Sequence, residues 1–260
     1  MERIAKVVSI LSLICWASVL VTAQEPSVKL YAGGPSEIDS RDPDRAKKAI
    51  DKWTRASEDD DQWDPSVVGR PTFLRVVKNS NHDGILEVWL KNPSSRRYEL
   101  FRKYKIAYFS GQLGPKTAEG DLQAPEGFYF ISKGRMNPKS RYHLSMDIGY
   151  PNAYDKAHDR TGDYLMIHGK AASLGCFAMT DRSAEQLYTL VDQALAKGQS
   201  IVRVHCFPFE MTEANLAKHQ KHEYHSFWRN LKEGWDWFEE HRVPPNVEVD
   251  DGEYVFDPGS

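Results

Sequence analysis

The chain has 260 residues, with 34 Lys and Arg against 37 Asp and Glu for a formal charge of −3, and only three cysteines. So near-neutral a balance leaves no electrostatic footprint for nucleic acid. Two cysteines beyond the N-terminal apolar run are too few for a fold built on disulfides.

In chain order, residues 1–23 read as a secretory signal. Arg3 and Lys6 precede an apolar run from Val7 to Val21, and Val21-Thr22-Ala23 has the small-residue character of a cleavage site. Cys15 lies inside that run and leaves with it. The run is short for a membrane span, and an uncleaved anchor is the alternative. Residues 24–69 form a polar lead-in with one helix, Ala46 to Ala56, and an acidic run, Glu58 to Asp61. That run lacks the spaced ligands, central Gly and closing Glu of a calcium loop and reads as a solvated linker.

Residues 70–207 turn to strands. Phe73 to Val77 and Ile85 to Leu90, joined across Asn79 to Gly84, read as a hairpin with a turn rich in Asn, Asp and Gly. Further strands are expected at Leu100 to Phe109, Gly127 to Ser132, Tyr142 to Ile148, Tyr164 to His168 and Ser200 to Phe207. One helix interrupts them, because Leu187, Leu190, Val191, Ala194 and Leu195 fall on a single stripe. Thr180 or Asp181 suits its start and Gly198 its end. Residues 208–260 read as a helical, aromatic extension. Phe227, Leu231, Trp235 and Phe238 recur at helical spacing, which is ordinarily burial rather than sugar stacking. His219, His222 and His225 spread around a helix without a metal-site order, so no metal is expected there.

The chemistry concentrates in HGKAASLGC, residues 168–176. A cysteine attacks as thiolate, and a nearby imidazole serves as the base that makes it and the acid that later protonates a leaving amine. A strand ending at His168 and a loop closed by Gly169 and Gly175 would return Cys176 to the imidazole. Backbone N–H groups around Gly175 and Cys176 would then face a developing oxyanion. Spacing alone equally fits a buried structural thiol beside an ordinary histidine, and it leaves Cys176 able to pair with Cys206.

Two blocks go further. Ile167-His168-Gly169 followed by Ser173-Leu174-Gly175-Cys176-Phe177-Ala178-Met179 resembles the signature of the YkuD-type L,D-transpeptidase catalytic domain, an HG pair and a later S-H-G-C-[IV]-R. Gly114-Pro115-Lys116 through Gly120-Asp121 to Pro125-Glu126-Gly127-Phe128-Tyr129 is similar to the segment preceding the site in that family. With Tyr150-Pro151-Asn152 between them, the resemblance covers about residues 71–207, and the tail resembles that of the YafK-like branch.

The resemblance implies an α+β fold, mainly β: a β-sandwich catalytic domain with a packed helix and a helical C-terminal extension. It implies Cys176 as nucleophile, His168 as general acid/base held by the Gly169 carbonyl, Ser173 and Gly175 shaping the turn and oxyanion pocket, and Tyr150 and Asn152 lining a substrate groove. The implied partners are peptidoglycan stem peptides containing diaminopimelate and a peptidoglycan-linked lipoprotein, in the periplasm or cell envelope, with no metal or organic cofactor. Leu174 stands where the broader family has a second histidine, and Ala178 where it has arginine. These departures remove polar groups from the pocket that would receive an acceptor amine, and the resemblance to the YafK-like branch tilts the expected outcome toward hydrolysis, with transpeptidation, L,D-carboxypeptidase action or mere peptidoglycan binding as the alternatives. A papain-like peptidase would present its cysteine before its histidine, the reverse of the order here.

Overall fold

A computed structural model describes residues 28–55 and 63–257. The expected signal at 1–23 and the acidic run at 58–61 lie outside the described residues. In chain order the described residues form β1 (Leu30–Tyr31), α1 (Arg45–Trp53), β2 (Thr72–Val77), β3 (Ile85–Lys91), β4 (Tyr98–Lys105), β5 (Gly127–Ile131), β6 (Met136–Asn137), β7 (Ser145–Asp147), α2 (Ala153–Ala157), β8 (Met166–His168), β9 (Phe177–Ala178), α3 (Asp181–Ala196), β10 (Val202–Phe207), α4 (Glu213–Lys218), α5 (His225–His241), β11 (Asn246–Asp250) and β12 (Glu253–Asp257). This is a mixed α+β fold: the strands outnumber the helices, but among the described residues the longer helices hold about as many residues as the strands.

Six strands make one mixed sheet in the order β1-β4-β3-β2-β10-β5, and four make a second in the order β6-β7-β8-β9. The β2–β3 hairpin sits at the centre because both of its faces are covered: every residue of β2 is buried. Its turn contains Asn79 and His82 at positive φ, where Asn costs least. The last strand, β10, returns parallel to β2 and antiparallel to β5. Phe130 N–H donates to the Ile148 carbonyl at 3.1 Å, and Tyr108 bridges to Ala178, so the second sheet is stitched to the first at two points.

Alternation along the strands gives each face of the large sheet its own core. Leu74, Val76, Leu86, Val88, Val204 and Cys206 share one buried cluster with Leu187, Leu190, Val191 and Ala194 of α3. The expected stripe is therefore the buried face of α3. Its start differs from expectation: Thr180 occupies the cap position at φ 63° without a side-chain capping bond, and Asp181 instead accepts the Lys170 N–H at 2.8 Å.

The opposite face is covered by the C-terminal residues. Phe238 packs on Phe73 and Trp89 with ring centroids 4.7 and 4.9 Å away, and Trp235 meets Phe207 edge-on at 4.9 Å. Phe227, Leu231, Trp235 and Phe238 are all buried, so that stripe of α5 is core. His219 lies flat on Phe209 and His222 over Trp228. The tail is not wholly helical, since it ends in the antiparallel β11–β12 hairpin. Nor is the lead-in only a helix, because β1 pairs parallel with β4.

Candidate active site

The second sheet brings histidine and cysteine together. β8 and β9 run parallel with His168 beside Ala178, and the Met166 N–H donates to Cys176 Sγ at 3.4 Å, continuing the register one step. Side chains two apart on a strand share a face. Cys176 therefore lies diagonal to His168 on the same face, the two positions on the order of 7–8 Å apart and their Cβ atoms somewhat closer, and the Cys176 thiol donates to the Tyr164 carbonyl at 3.6 Å. Cys176 is half-buried, and both it and Cys206 are free thiols; Cys206 is fully buried near the end of β10.

The loop between them is closed by its own side chains. Ser173 Oγ donates to the Cys176 carbonyl at 2.6 Å, and Gly175 takes φ 98°, a conformation that side chains strongly disfavour. Gly169 is needed for a different reason than expected. Its φ is not positive, but a Cβ there would stand 2.6 Å from Asp181 Oδ1 and 2.8 Å from the Tyr142 carbonyl. The expected oxyanion donors are also revised. The Gly175 N–H is taken by Ser110 Oγ at 2.7 Å, whereas the Cys176 N–H has no partner among the described residues. Gly175 thus shapes the pocket, and Cys176 itself is the available backbone donor.

His168 Nδ1 lies 2.6 Å from the Gly169 carbonyl. A carbonyl only accepts, so Nδ1 carries the proton and Nε2 is the open base. Burial lowers the imidazole pKa, and the bond to Gly169 offsets only part of that. Burial likewise raises the Cys176 thiol; the Met166 N–H opposes this, while Asp147 raises and Lys116 lowers it further. Both directions favour a neutral thiol beside a neutral imidazole at rest, rather than an ion pair. The arrangement suits proton transfer at the moment of attack, with the imidazole as general base.

Tyr150 and Asn152 do not line this pocket as free polar groups. Tyr150 is buried, its single hydroxyl proton shared between the Lys116 and Thr161 carbonyls at 3.3 and 3.2 Å. Asn152 caps α2 in a reciprocal box with Asp155, and its Nδ2 donates to the Phe128 carbonyl and Tyr254 Oη at 2.9 and 2.8 Å. Both hold the scaffold. Three residues to which the motifs assign no role do flank the reacting pair. Tyr142 lies against His168 with ring centroids 4.6 Å apart and the planes tilted by 40°, Ser110 anchors Gly175, and Lys116, whose charge lowers the thiol pKa, is held by Asp121 Oδ1 at 2.6 Å. Only Lys116, inside the quoted GPKTAEGD block, left a trace in the sequence.

That block is fixed from behind. Lys78 and Glu126 form a fully buried pair at 2.9 Å. Lys78 Nζ also donates to the Gly114 and Ala124 carbonyls, while Glu126 accepts the Gly114 N–H and Trp228 Nε1–H at 2.8 and 2.7 Å. The loop carrying Lys116 is thereby tied both to β2 and to α5 of the tail.

A family model described as the L,D-transpeptidase catalytic domain, YkuD, matches residues 87–204, a span holding both His168 and Cys176. The chain is 41% identical over 194 residues, 75% of its length and 77% of the relative's, to "Putative L,D-transpeptidase YafK" of Escherichia coli K12, and equally so to the protein of that name in strain O157:H7. Among solved structures, the helical cell shape determining protein Pgp2 of Campylobacter jejuni aligns with a TM-score of 0.42 at 18% identity, over 81% of this chain and 82% of that one. Its K307A mutant aligns with the same TM-score at 21% identity, over 78% and 65%.

Proposed function

Because the chain belongs to the YkuD-type L,D-transpeptidase family, we propose that it is a cysteine-dependent acyl-transfer enzyme acting on diaminopimelate-containing stem peptides of peptidoglycan. Cys176 Sγ attacks the carbonyl carbon next to the diaminopimelate as His168 Nε2 takes the thiol proton. The carbonyl π electrons move to its oxygen, which the Cys176 N–H meets. Collapse expels the amine, protonated by His168, and leaves a thioester. A second nucleophile, deprotonated by the same imidazole, then attacks the thioester and returns the thiol.

The observation that carries this reading is the parallel β8–β9 register, which sets an Nδ1-anchored imidazole and a half-buried thiol on one face. Water is the favoured second nucleophile. The polar side chains of the 170–176 loop are consumed internally, with Lys170 Nζ on the Arg141 carbonyl and Ser173 on Cys176, while Leu174 stands 75% exposed at the rim. Little there would bind an incoming ammonium or orient its amine. The enzyme is then an amidase that releases peptidoglycan-bound lipoprotein in the periplasm or cell envelope. The second reading, a true L,D-transpeptidase, is favoured by the family's name. Incubating the protein with lipoprotein-bearing sacculi and a free D-amino acid separates them. Release without incorporation supports the amidase, incorporation supports the transpeptidase, and unaltered muropeptides would overturn both in favour of a binding role.

A further inference from the structure

Behind the catalytic histidine lies a buried polar cluster that the reaction above does not use. His143 and Glu185 are both fully buried, with His143 Nε2 2.8 Å from Glu185 Oε1. The same carboxyl group accepts the Ser36 hydroxyl on Oε1 and Trp53 Nε1–H at 3.2 Å on Oε2. His143 Nδ1 has no partner among the described residues, so Glu185 supplies the ring's one polar anchor. The His143 backbone is held at φ 68°, where a β-carbon is strained. Arg45 of α1, itself buried, fixes that segment by donating to the His143 and Ser140 carbonyls at 2.6 and 2.9 Å.

Two contacts lead from this anchored segment to His168. The neighbouring Tyr142 ring packs against the imidazole at a 40° tilt, and Leu144 accepts the N–H of Gly169, whose carbonyl in turn holds His168 Nδ1. Gly169 also packs against the segment so closely that a Cβ would lie 3.0 Å from His143 Cβ. We infer that the His143–Glu185 pair is a positioning device for the catalytic imidazole, acting through the Tyr142 ring and through Gly169. The inference rests on His168 being the acid/base of the proposed reaction. The device does not touch substrate; it keeps the imidazole desolvated and oriented.

Other ionisable groups around the imidazole are Cys176 across the β8–β9 pair, Asp181 at the start of α3, Lys170 in the loop and Tyr142 itself. Asp147 and Lys116 act on the thiol. Burial dominates the depression of His168, so uncovering its ring raises its pKa toward the ordinary imidazole value.

The test is an NMR titration of His168, identified by the signal lost in His168→Gln, alongside pH profiles of kcat/KM. Tyr142 is 43% exposed, so its truncation leaves the fold standing. Tyr142→Ala is expected to raise the titration midpoint by about half a unit, an acid-limb loss of about threefold. His143→Asn tolerates the positive φ but is too short to reach Glu185, and is expected to do the same. Tyr142→Phe keeps the ring, and His143→Gln offers an Nε2 donor at similar reach, so both are expected to titrate like the parent. Superimposable titrations in all four folded variants, or a shift in Tyr142→Phe equal to that in Tyr142→Ala, would overturn the inference. An NMR shift as expected in protein that leaves stem peptides untouched would instead sink the proposed reaction and leave the positioning intact.

Discussion

Replacing Glu126 by glutamine changes one atom and tests how the site loop is held. In the parent, Glu126 satisfies three donors: Lys78 Nζ at 2.9 Å, the Gly114 N–H at 2.8 Å and Trp228 Nε1–H at 2.7 Å. Neither Lys78 nor Glu126 has any solvent exposure. Glutamine removes the counter-charge: with its remaining oxygen toward Lys78 and Gly114 its amide NH2 faces the Trp228 Nε1–H, and the buried ammonium is left with neutral carbonyl acceptors only. Removing one partner of a buried pair costs about 3–5 kcal/mol, because the other charge stays buried and uncompensated. For a chain of this size each kcal/mol lowers the melting temperature by about 2–4 °C, so a fall of roughly 6–20 °C is expected by calorimetry. Pairing Glu126→Gln with Lys78→Met removes the stranded charge, and the double variant is expected to be more stable than Glu126→Gln alone. A Glu126→Gln protein melting within about 2 °C of the parent, or a double variant less stable than the single one, would refute the idea that charge compensation holds this loop.

Gly169→Ala drives a methyl group into Asp181 Oδ1 and the Tyr142 carbonyl, so activity is expected to fall at least tenfold even in folded protein; parental kcat/KM would contradict the packing described. Since kcat/KM requires neutral His168 and burial depresses its pKa, the acid limb is expected below the ordinary imidazole value of about 6.5. With the thiol raised, no alkaline fall is expected between about pH 7 and 8; a bell centred near neutrality would point to a resting ion pair instead. Asn152→Ala removes a helix cap and two further hydrogen bonds and is expected to cost about 1–2 kcal/mol in denaturant unfolding while leaving KM unchanged. A raised KM at parental stability would return Asn152 to the substrate groove.

Much of the architecture could be read from local pattern. The β2–β3 hairpin and α3 announce themselves because each has one periodicity and one buried consequence. The HG and Cys residues are legible because their chemistry demands those types. What escaped depends on distant packing. β1 is two residues long and exists only through its partner β4. The β11–β12 hairpin did leave a signal, alternating Val247 and Val249 with polar residues before an Asp-Gly turn, but the aromatic helix beside it drew the whole tail into one class. Tyr142, over His168, adjoins His143, whose ring meets Glu185 42 residues later, and Ser110 reaches Gly175 across 65 residues. Asn152 read as a groove residue because polar side chains near a site look alike in sequence, whether they cap a helix or meet a substrate.

The most direct measurement is intact-protein mass spectrometry of a rapid acid quench with a synthetic diaminopimelate-containing stem peptide. The account predicts an acyl adduct on Cys176 in the parent, no adduct in Cys176→Ala, and much slower adduct formation in His168→Gln. Turnover of the peptide by Cys176→Ala, or an adduct elsewhere in the chain, would contradict it.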